Sequence, residues 1–479
     1  MCGIIGIHGP AAAAAPQLIF GMAALQHRGQ DAAGVITYEG NFHVKKGLGS
    51  ISTVFKEKNI QYLKGRSGIG HVRYATQGGA EELNAQPFYV NYPFGIAMAH
   101  NGNVVNFAEL NKTLHEEKHR LLDTTNDLEL LLYTFASELE EHDLKNYKVD
   151  DIFDCAAAVM KKASGAYSVL AIIAGKGLLA FTDPAGIRPL VMGRKETPDG
   201  PSYIFASETV CFDYLGFEHV RDFGPGEAVF IDDEMNVHSR SINSCAARSF
   251  CVFEYIYFSR EDSRLNARLV AGERVKMGRK LARRLIEKKI EPDIVIDIPS
   301  SSYFVASGLA EELNIPYRRG FARNNHIGRS FIMPSQIERE LAVRKKLNPI
   351  REIVAGKKIV AVDDSIVRGT TSKHLVKLLK DAGAKEVYYA TAAPPVKFPC
   401  IYGIDMSVKR ELLAGYKSEE EILNIIGADA LIYQSLEDLK SLYEDLGCCY
   451  ACFSGEYPTC ASADIIGEIE KERICSKRE

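Results

Sequence analysis

VAVDDSIVRGTTS, Val360 to Ser372, decides the fold of the carboxyl-terminal half of the chain. Its apolar start reads as a strand buried on both faces, and that strand ends in two acids, Asp363 and Asp364. A loop with Arg368 and Gly369 then runs through Thr370, Thr371 and Ser372 into a helix. The same alternation continues outward, with DIVIDIP (293–299) and helical SYFVASGLAEELN (302–314) upstream, and helical SKHLVKLLKDAG (372–383) and EVYYATAA (386–393) downstream. Buried strands joined by helices imply a parallel sheet whose ligands sit at the carboxyl ends of its strands. There, backbone N–H groups and hydroxyls opening a helix cradle a phosphate, and adjacent carboxylates hold a vicinal diol or a metal ion. Phosphate plus ribose is the ligand this pattern points to. The plainer alternative is a capped helix after an acidic turn, but it leaves two consecutive acids at a buried strand end without a partner, which is costly.

At 479 residues the chain exceeds one ordinary core and is expected to hold two domains, residues 2–240 and 241–479, with the pattern changing to alternating strand and helix from about Pro292. In the first, YSVLAIIAG (167–175), GLLAFTDP (177–184) and EAVFIDDEMNV (227–237) read as neighbouring strands. The alanine run at 11–15 reads as a loop leading into a helix around LIFGMAALQHRG (18–29), and residues 240–290 as a charged, largely helical lead-in to the second domain. Lys and Arg total 58 against 62 Asp and Glu, a formal charge of −4, so no basic excess argues for nucleic acid or a membrane surface. No charged stretch followed by an apolar run precedes the first strand, which argues against a secretory signal, and the most apolar stretch, YSVLAIIAGKGLLAFT (167–182), falls short of the ~20 apolar residues of a spanning helix. The expected compartment is cytoplasmic, where the 11 cysteines read as buried thiols, metal ligands or catalytic groups rather than disulfides.

The chain opens MCGIIGIHG. Removal of Met1 would leave Cys2 with both a thiol and a free α-amine, and an amine with a reference pKa of ~7.7–8.0 can serve as general base for its own thiol. A thiol attacking an amide also needs oxyanion donors and a substrate anchor. HNGN (100–103), read as a strand-to-turn junction, offers the Asn101 amide and the Gly102 N–H. GHVRYAT (70–76) places Arg73 to grip a carboxylate bidentately, and Asp127 in TTNDLELLL (124–132) can accept from an ammonium. Together these groups suit glutamine. Taken singly, each has an ordinary reading as a surface arginine, a turn or an N-cap.

MCGIIGI, LQHRGQDAAGV, GHVRYAT, AQPF, AHNGN and TNDLE, in that order, resemble the glutaminase domain of the N-terminal-nucleophile amidotransferases. The resemblance implies an α+β, four-layer αββα fold with Cys2 as nucleophile, Arg73 as carboxylate anchor, Asn101 and Gly102 as oxyanion hole and Asp127 as ammonium partner. In the second half, DDSIVRGTTS resembles the ribose-5-phosphate motif of the type I phosphoribosyltransferases, an α/β parallel-sheet fold, which implies that Arg368, Gly369, Thr370, Thr371 and Ser372 bind the phosphoribosyl group. IPSSSYFVASG (298–308) has the position of that family's pyrophosphate loop, so Ser301, Asp363 and Asp364 are implied to organise Mg²⁺. RNNHIGRSFIMPSQIERELAVRKKLNP (323–349) resembles its hood, where Arg329, Arg344, Lys345 and Lys346 would neutralise a polyanion. The chain departs from the pattern at Ser300, where the family carries an acid, and at Asn325 and His326, where the hood begins with an Arg-Tyr pair.

At the far end, CYAC (449–452) is a C-x-x-C pair that alone is open to zinc, a redox pair or chance. The two domains in this order resemble the amidophosphoribosyltransferase family, and Cys251 in CVFEYIYFSREDS (251–263) and Cys400 in FPCIYGIDM (398–406) sit where its iron–sulfur branch has two further ligands. The resemblance implies a [4Fe–4S] cluster on Cys251, Cys400, Cys449 and Cys452, with Cys448 and Cys245 as nearby competitors. Cluster-bearing members of the family usually carry a short propeptide, so from this MCG start the expected maturation would need methionine removal alone.

That family implies glutamine hydrolysis at Cys2 and internal passage of ammonia. Ammonia then displaces pyrophosphate from phosphoribosyl pyrophosphate, giving 5-phosphoribosylamine in the first step of purine synthesis. It further implies a homo-oligomer inhibited by purine nucleotides, with no nucleic-acid or membrane partner. Two other readings stay open at this point. One is the same glutaminase feeding a different phosphoribosyl-like acceptor. The other is a sensor that binds phosphoribosyl pyrophosphate or a nucleotide without turnover, a reading that rests on Ser300 and the Asn325–His326 pair.

Overall fold

GIIGIH forms the first strand, β1 (Gly3–His8), and its alternation sets the layers of the amino-terminal half. Ile5 and Ile7 face the helix Ala14–Ala24 and pack with its Leu18 and Met22, while Ile4 faces Ala97, Ala99 and Leu170 of a second sheet. The following strands are β2 (Ala32–Glu39), β3 (Asn41–Leu48), β4 (Ser67–Arg73), β5 (Phe88–Val90), β6 (Ile96–Val104), β7 (Gly165–Ile173), β8 (Gly177–Thr182), β9 (Val191–Thr197), β10 (Gly200–Ala206), β11 (Glu218–Asp222), β12 (Glu227–Asp232) and β13 (Val237–Ser241). They form two antiparallel sheets, ordered β11-β9-β10-β1-β4-β2-β3 and β13-β12-β8-β7-β6-β5. Helices Asp127–Glu140 and Val149–Lys162 cover the outer face of the second sheet, setting Leu128, Leu131 and Val159 against Met98, Val169 and Phe181. Helix, sheet, sheet and helix are therefore stacked as the four-layer αββα fold. The computed structural model describes residues 2–10, 14–74, 82–242, 247–299, 301–324, 347–406, 408–459 and 467.

The three expected neighbouring strands are neighbours, as β7, β8 and β12. Two local expectations are corrected. The helix begins inside the alanine run, because Ala14 and Ala15 are buried against the first sheet. HNGN is no strand-to-turn junction but lies within β6, where Gly102 faces β7 so closely that a Cβ would stand 1.9 Å from the Ala166 carbonyl oxygen. Close backbone approach, not a turn, is what requires glycine there.

The lead-in is also corrected. Residues 250–269 hold β14 (Phe250–Cys251), a π-helical turn at Glu254–Phe258, and the short hairpin of β15 (Arg264–Leu265) and β16 (Arg268–Leu269), and only then comes the helix Val270–Glu287. Arg274 of that helix fixes the turn by donating to the carbonyls of Tyr255, Tyr257 and Ser259 at 2.9, 3.1 and 2.7 Å. The remaining strands are β17 (Ile294–Asp297), β18 (Phe321–Arg323), β19 (Leu347–Pro349), β20 (Lys358–Asp363), β21 (Glu386–Thr391), β22 (Ala430–Tyr433) and β23 (Cys448–Cys449). The expected parallel sheet is β17-β20-β21-β22. Helices Val270–Glu287 and Tyr303–Leu313 pack on one face, and Thr370–Asp381 and Glu419–Ile426 on the other. The apolar cluster beneath β1 runs without a break into this domain, joining Leu18 and Met22 to Phe250, Tyr255, Leu281 and Val360. Among the described residues no helix is long and apolar enough to cross a membrane.

Candidate active site

The first strand delivers Cys2 to the edge of the gap between the two sheets. Its main-chain N donates to Asn101 Oδ1 at 3.2 Å, its Sγ lies 3.8 Å from the Tyr74 carbonyl, and its own carbonyl accepts from Arg28 Nε at 2.9 Å. Asn101 is buried and its side-chain Nδ2 has no hydrogen-bond partner. A buried amide donor left unsatisfied beside a thiol is what a developing oxyanion needs.

Arg73 ends β4 and is buried. Asp127 opens its helix behind Asn126, the residue that acts as N-cap by accepting from the Leu128 N–H. Asp127 Oδ2 accepts from Val104 N at 2.9 Å and lies 3.2 Å from His100 Nε2. Burial alone would raise this carboxyl, but His100 and the Val104 N–H outweigh burial and hold it below its ordinary value. AQPF serves the same corner, because the Gln86 side chain accepts from His100 N at 2.9 Å and meets His100 Nδ1 at 2.9 Å.

Behind Cys2 lies a charged junction that motif reading missed. Arg28 Nη1 donates to Glu208, and Nη1 and Nη2 donate to Glu254 at 3.0 and 2.8 Å, with all three side chains fully buried. Glu208 also accepts from Ser263 Oγ at 2.6 Å and from Arg260 N at 2.9 Å, and it meets His27 at 2.8 Å. Burial would raise the Glu208 carboxyl, but His27 and Arg28 hold it far below the usual carboxylate range. The available signal was the arginine in LQHRGQDAAGV, which the resemblance left without a role.

Asp363 and Asp364 stand at the carboxyl end of β20. Tyr389 Oη donates to Asp363 Oδ2, Ser301 Oγ to Asp364 Oδ2 at 2.6 Å and Ser365 Oγ to Asp364 Oδ1 at 2.7 Å. Burial, then the charge of Asp364, pushes the Asp363 carboxyl up to about 8, and burial raises Asp364 as well. The donor set is all oxygen, and the Arg274 charge that acts on Asp364 only partly offsets the burial of the pair, which fits a hard divalent cation such as Mg²⁺. Gly369, at φ 74°, turns the chain into the helix Thr370–Asp381, whose first turn carries Thr370, Thr371 and Ser372. Arg368 at its mouth pairs with Glu411.

The four cysteines assigned to a cluster are all buried. Cys251 and Cys449 are register partners on the parallel pair β14–β23. The Cys452 carbonyl accepts from Lys397 N and Phe398 N at 2.9 and 3.0 Å, which holds it next to the segment bearing Cys400. Burial pushes the Cys452 thiol well up, and Cys449, Cys400 and Cys251 add to the shift. Among the described residues no group of three or more His, Cys, Asp or Glu side chains is placed to hold a metal ion. Ser300, Asn325, His326, Arg329, Arg344, Lys345, Lys346 and Cys245 lie outside the described residues.

Fold and site together define a glutamine amidotransferase joined to a phosphoribosyl transferase. Residues 71–213 match the family described as a glutamine amidotransferase domain, and residues 269–396 the phosphoribosyl transferase domain family. The chain belongs to the amidophosphoribosyltransferase family. It is 46% identical to amidophosphoribosyltransferase of Escherichia coli (strain K12) across 92% of this chain and 88% of that protein. To the Saccharomyces cerevisiae protein of the same name it is 42% identical across 99% and 95%. A solved structure described as glutamine phosphoribosylpyrophosphate amidotransferase from B. subtilis, complexed with ADP and GMP, superposes with a TM-score of 0.86 at 40% identity, covering 97% of this chain and 98% of that one.

Proposed function

We propose that the chain hydrolyses glutamine at Cys2 and passes the ammonia to phosphoribosyl pyrophosphate, forming 5-phosphoribosylamine, glutamate and pyrophosphate. The reading is carried by Asn101, whose Oδ1 accepts from Cys2 N while its buried Nδ2 is left to donate. Once Met1 is removed, that Oδ1 orients the α-amine toward the thiol, and the amine takes the thiol proton as Sγ attacks the side-chain amide carbon of glutamine. The oxyanion is held by Asn101 Nδ2 and the Gly102 N–H, the amine returns its proton to the departing ammonia, and water then cleaves the thioester. Arg73 takes the substrate carboxylate and Asp127 its ammonium.

In the second domain the first turn of the helix at Thr370, with Arg368 and Gly369, takes the 5-phosphate, and Asp363 and Asp364 take the ribose hydroxyls and, with Ser301, Mg²⁺. When bound, Mg²⁺ would supply positive charge for the leaving pyrophosphate. The four buried cysteines support a [4Fe–4S] cluster, because a cubane spreads its thiolates over separate irons and needs no convergence on one ion. The ADP and GMP of the B. subtilis neighbour support purine nucleotides as feedback ligands. The same reading makes the protein a cytoplasmic homo-oligomer.

The test supplies anaerobically handled protein with glutamine, phosphoribosyl pyrophosphate and Mg²⁺. Glutamate and pyrophosphate released in equal amounts are expected. Glutamate alone would point to another acceptor, and neither product to a sensor. Cys2→Ala is expected to reduce glutamine use by at least about a thousandfold while sparing synthesis from free ammonium.

A further inference from the structure

Gln86 stands just before β5 and its main chain is held by the first sheet. Lys46 Nζ of β3 donates to the Ala85 carbonyl at 2.8 Å, and the Gln86 carbonyl lies so close over Gly34 of β2 that a Cβ there would stand 2.1 Å from its oxygen. The buried side chain reaches across to the second sheet, where Oε1 accepts from His100 N at 2.9 Å and Nε2 meets His100 Nδ1 at 2.9 Å. Nε2 also lies 3.4 Å from Asn126 Oδ1, the oxygen that accepts from the Leu128 N–H at 3.1 Å and caps the helix of Asp127.

The main-chain N–H of His100 can only donate, and it therefore fixes which end of the Gln86 amide is which. Turned over, the amide would set its NH₂ against that N–H, donor against donor. The NH₂ group is thus what faces Nδ1, and because it offers hydrogens and no lone pair it obliges Nδ1 to accept. A ring whose Nδ1 accepts carries its hydrogen on Nε2. Nε2 is buried, has no aligned hydrogen-bond partner among the described residues, and stands 3.2 Å from Asp127 Oδ2, which also accepts from Val104 N at 2.9 Å. With the hydrogen on Nε2 the ring attracts that carboxylate, whereas the other tautomer would turn a lone pair toward it.

We propose that Gln86 is a positioning residue for glutamine recognition: it locks His100 as the Nε2–H tautomer, and the ring in turn steadies Asp127 for the substrate ammonium. This rests on reading Asp127 as the ammonium partner. Gln86 acts through the ring, so its effect is confined to ligands that carry an α-amine.

Full-length protein labelled with ¹⁵N-histidine is read by solid-state NMR, with His100 assigned by its loss in His100→Gln. A bare Nδ1 and a protonated Nε2 are expected, and the opposite pattern overturns the proposal. Kinetics then separate positioning from structural support. Gln86→Met is expected to raise KM for glutamine about tenfold, the worth of one hydrogen bond to a charged group, with kcat nearly unchanged, and to leave KM for glutaramate, which is glutamine without its α-amine, where it was. In a His100→Gln background, where an amide with no tautomer to choose faces Asp127, Gln86→Met is expected to lose that effect. A rise shared by both ligands, or undiminished in that background, overturns the proposal while the Asp127 reading stands. Should Gln86→Met not fold, the tautomer pattern decides. Unaltered protein that uses glutaramate as well as glutamine overturns the Asp127 reading and the proposal with it.

Discussion

Two buried charged sites in this chain solve the same electrostatic problem in opposite ways. At the junction behind Cys2, Arg28 faces Glu208 and Glu254, and every charge meets its opposite within hydrogen-bonding range. At the end of β20, Asp363 and Asp364 meet hydroxyls and each other, and both carboxyls are pushed upward. A paired set is complete when the chain has folded, whereas a like-charged set is complete only with a cation in place. On the function proposed above, the junction serves architecture and the acidic pair a ligand.

Glu254→Ala tests the contrast hardest. It strands Arg28 with half its partners in a fully buried site, and the expected loss is about 3–5 kcal/mol of folding stability, read from denaturant unfolding. A loss within about 0.5 kcal/mol would mean that the junction is not a closed unit. Asp363→Asn should do the reverse, leaving stability unchanged or raised by about 1 kcal/mol while ammonium-dependent phosphoribosyl transfer falls at least about a hundredfold.

The pH dependence gives that variant a second reading. The Asp363 carboxyl titrates near 3.8 when unfolded and is raised to about 8 in the fold, so the folded state binds the extra proton between those values. Stability of the metal-free protein from this group is thus full below the unfolded value and lost as pH rises toward 8. Asp363→Asn should flatten that part of the thermal-melting profile, and equal slopes in both proteins would remove the basis of the contrast. Arg368→Ala is the mildest test. The Arg368–Glu411 pair is half exposed, so stability should change by no more than about 0.5 kcal/mol, with the effect appearing as a higher KM for phosphoribosyl pyrophosphate.

The pair was legible in the sequence and the junction was not, for a physical reason. Asp363, Asp364 and the Thr370–Ser372 turn are contiguous, so strand, loop and helix can be read from one string. Cys2, Asn101 and Asp127 are separate in sequence, but each sits in a short motif with its own residue logic. Arg28 reaches Glu208 and Glu254 across 180 and 226 residues, and no local pattern marks a glutamate destined for such a pairing. HNGN misled because Asn-Gly ordinarily turns the chain, whereas here the requirement for glycine comes from the neighbouring strand. The turn at Glu254–Phe258 was hidden because Arg274, on the next helix, dictates its shape.

Glu254 belongs to the segment after residue 242, yet it neutralises a residue of the amidotransferase layers. The two halves are thus not interchangeable modules. A chimaera grafting another protein's carboxyl half onto this amino half keeps Arg28, which holds the Cys2 carbonyl, fully paired only if the donor brings an acid to position 254, and drift at 28, 208 or 254 must be answered at the others.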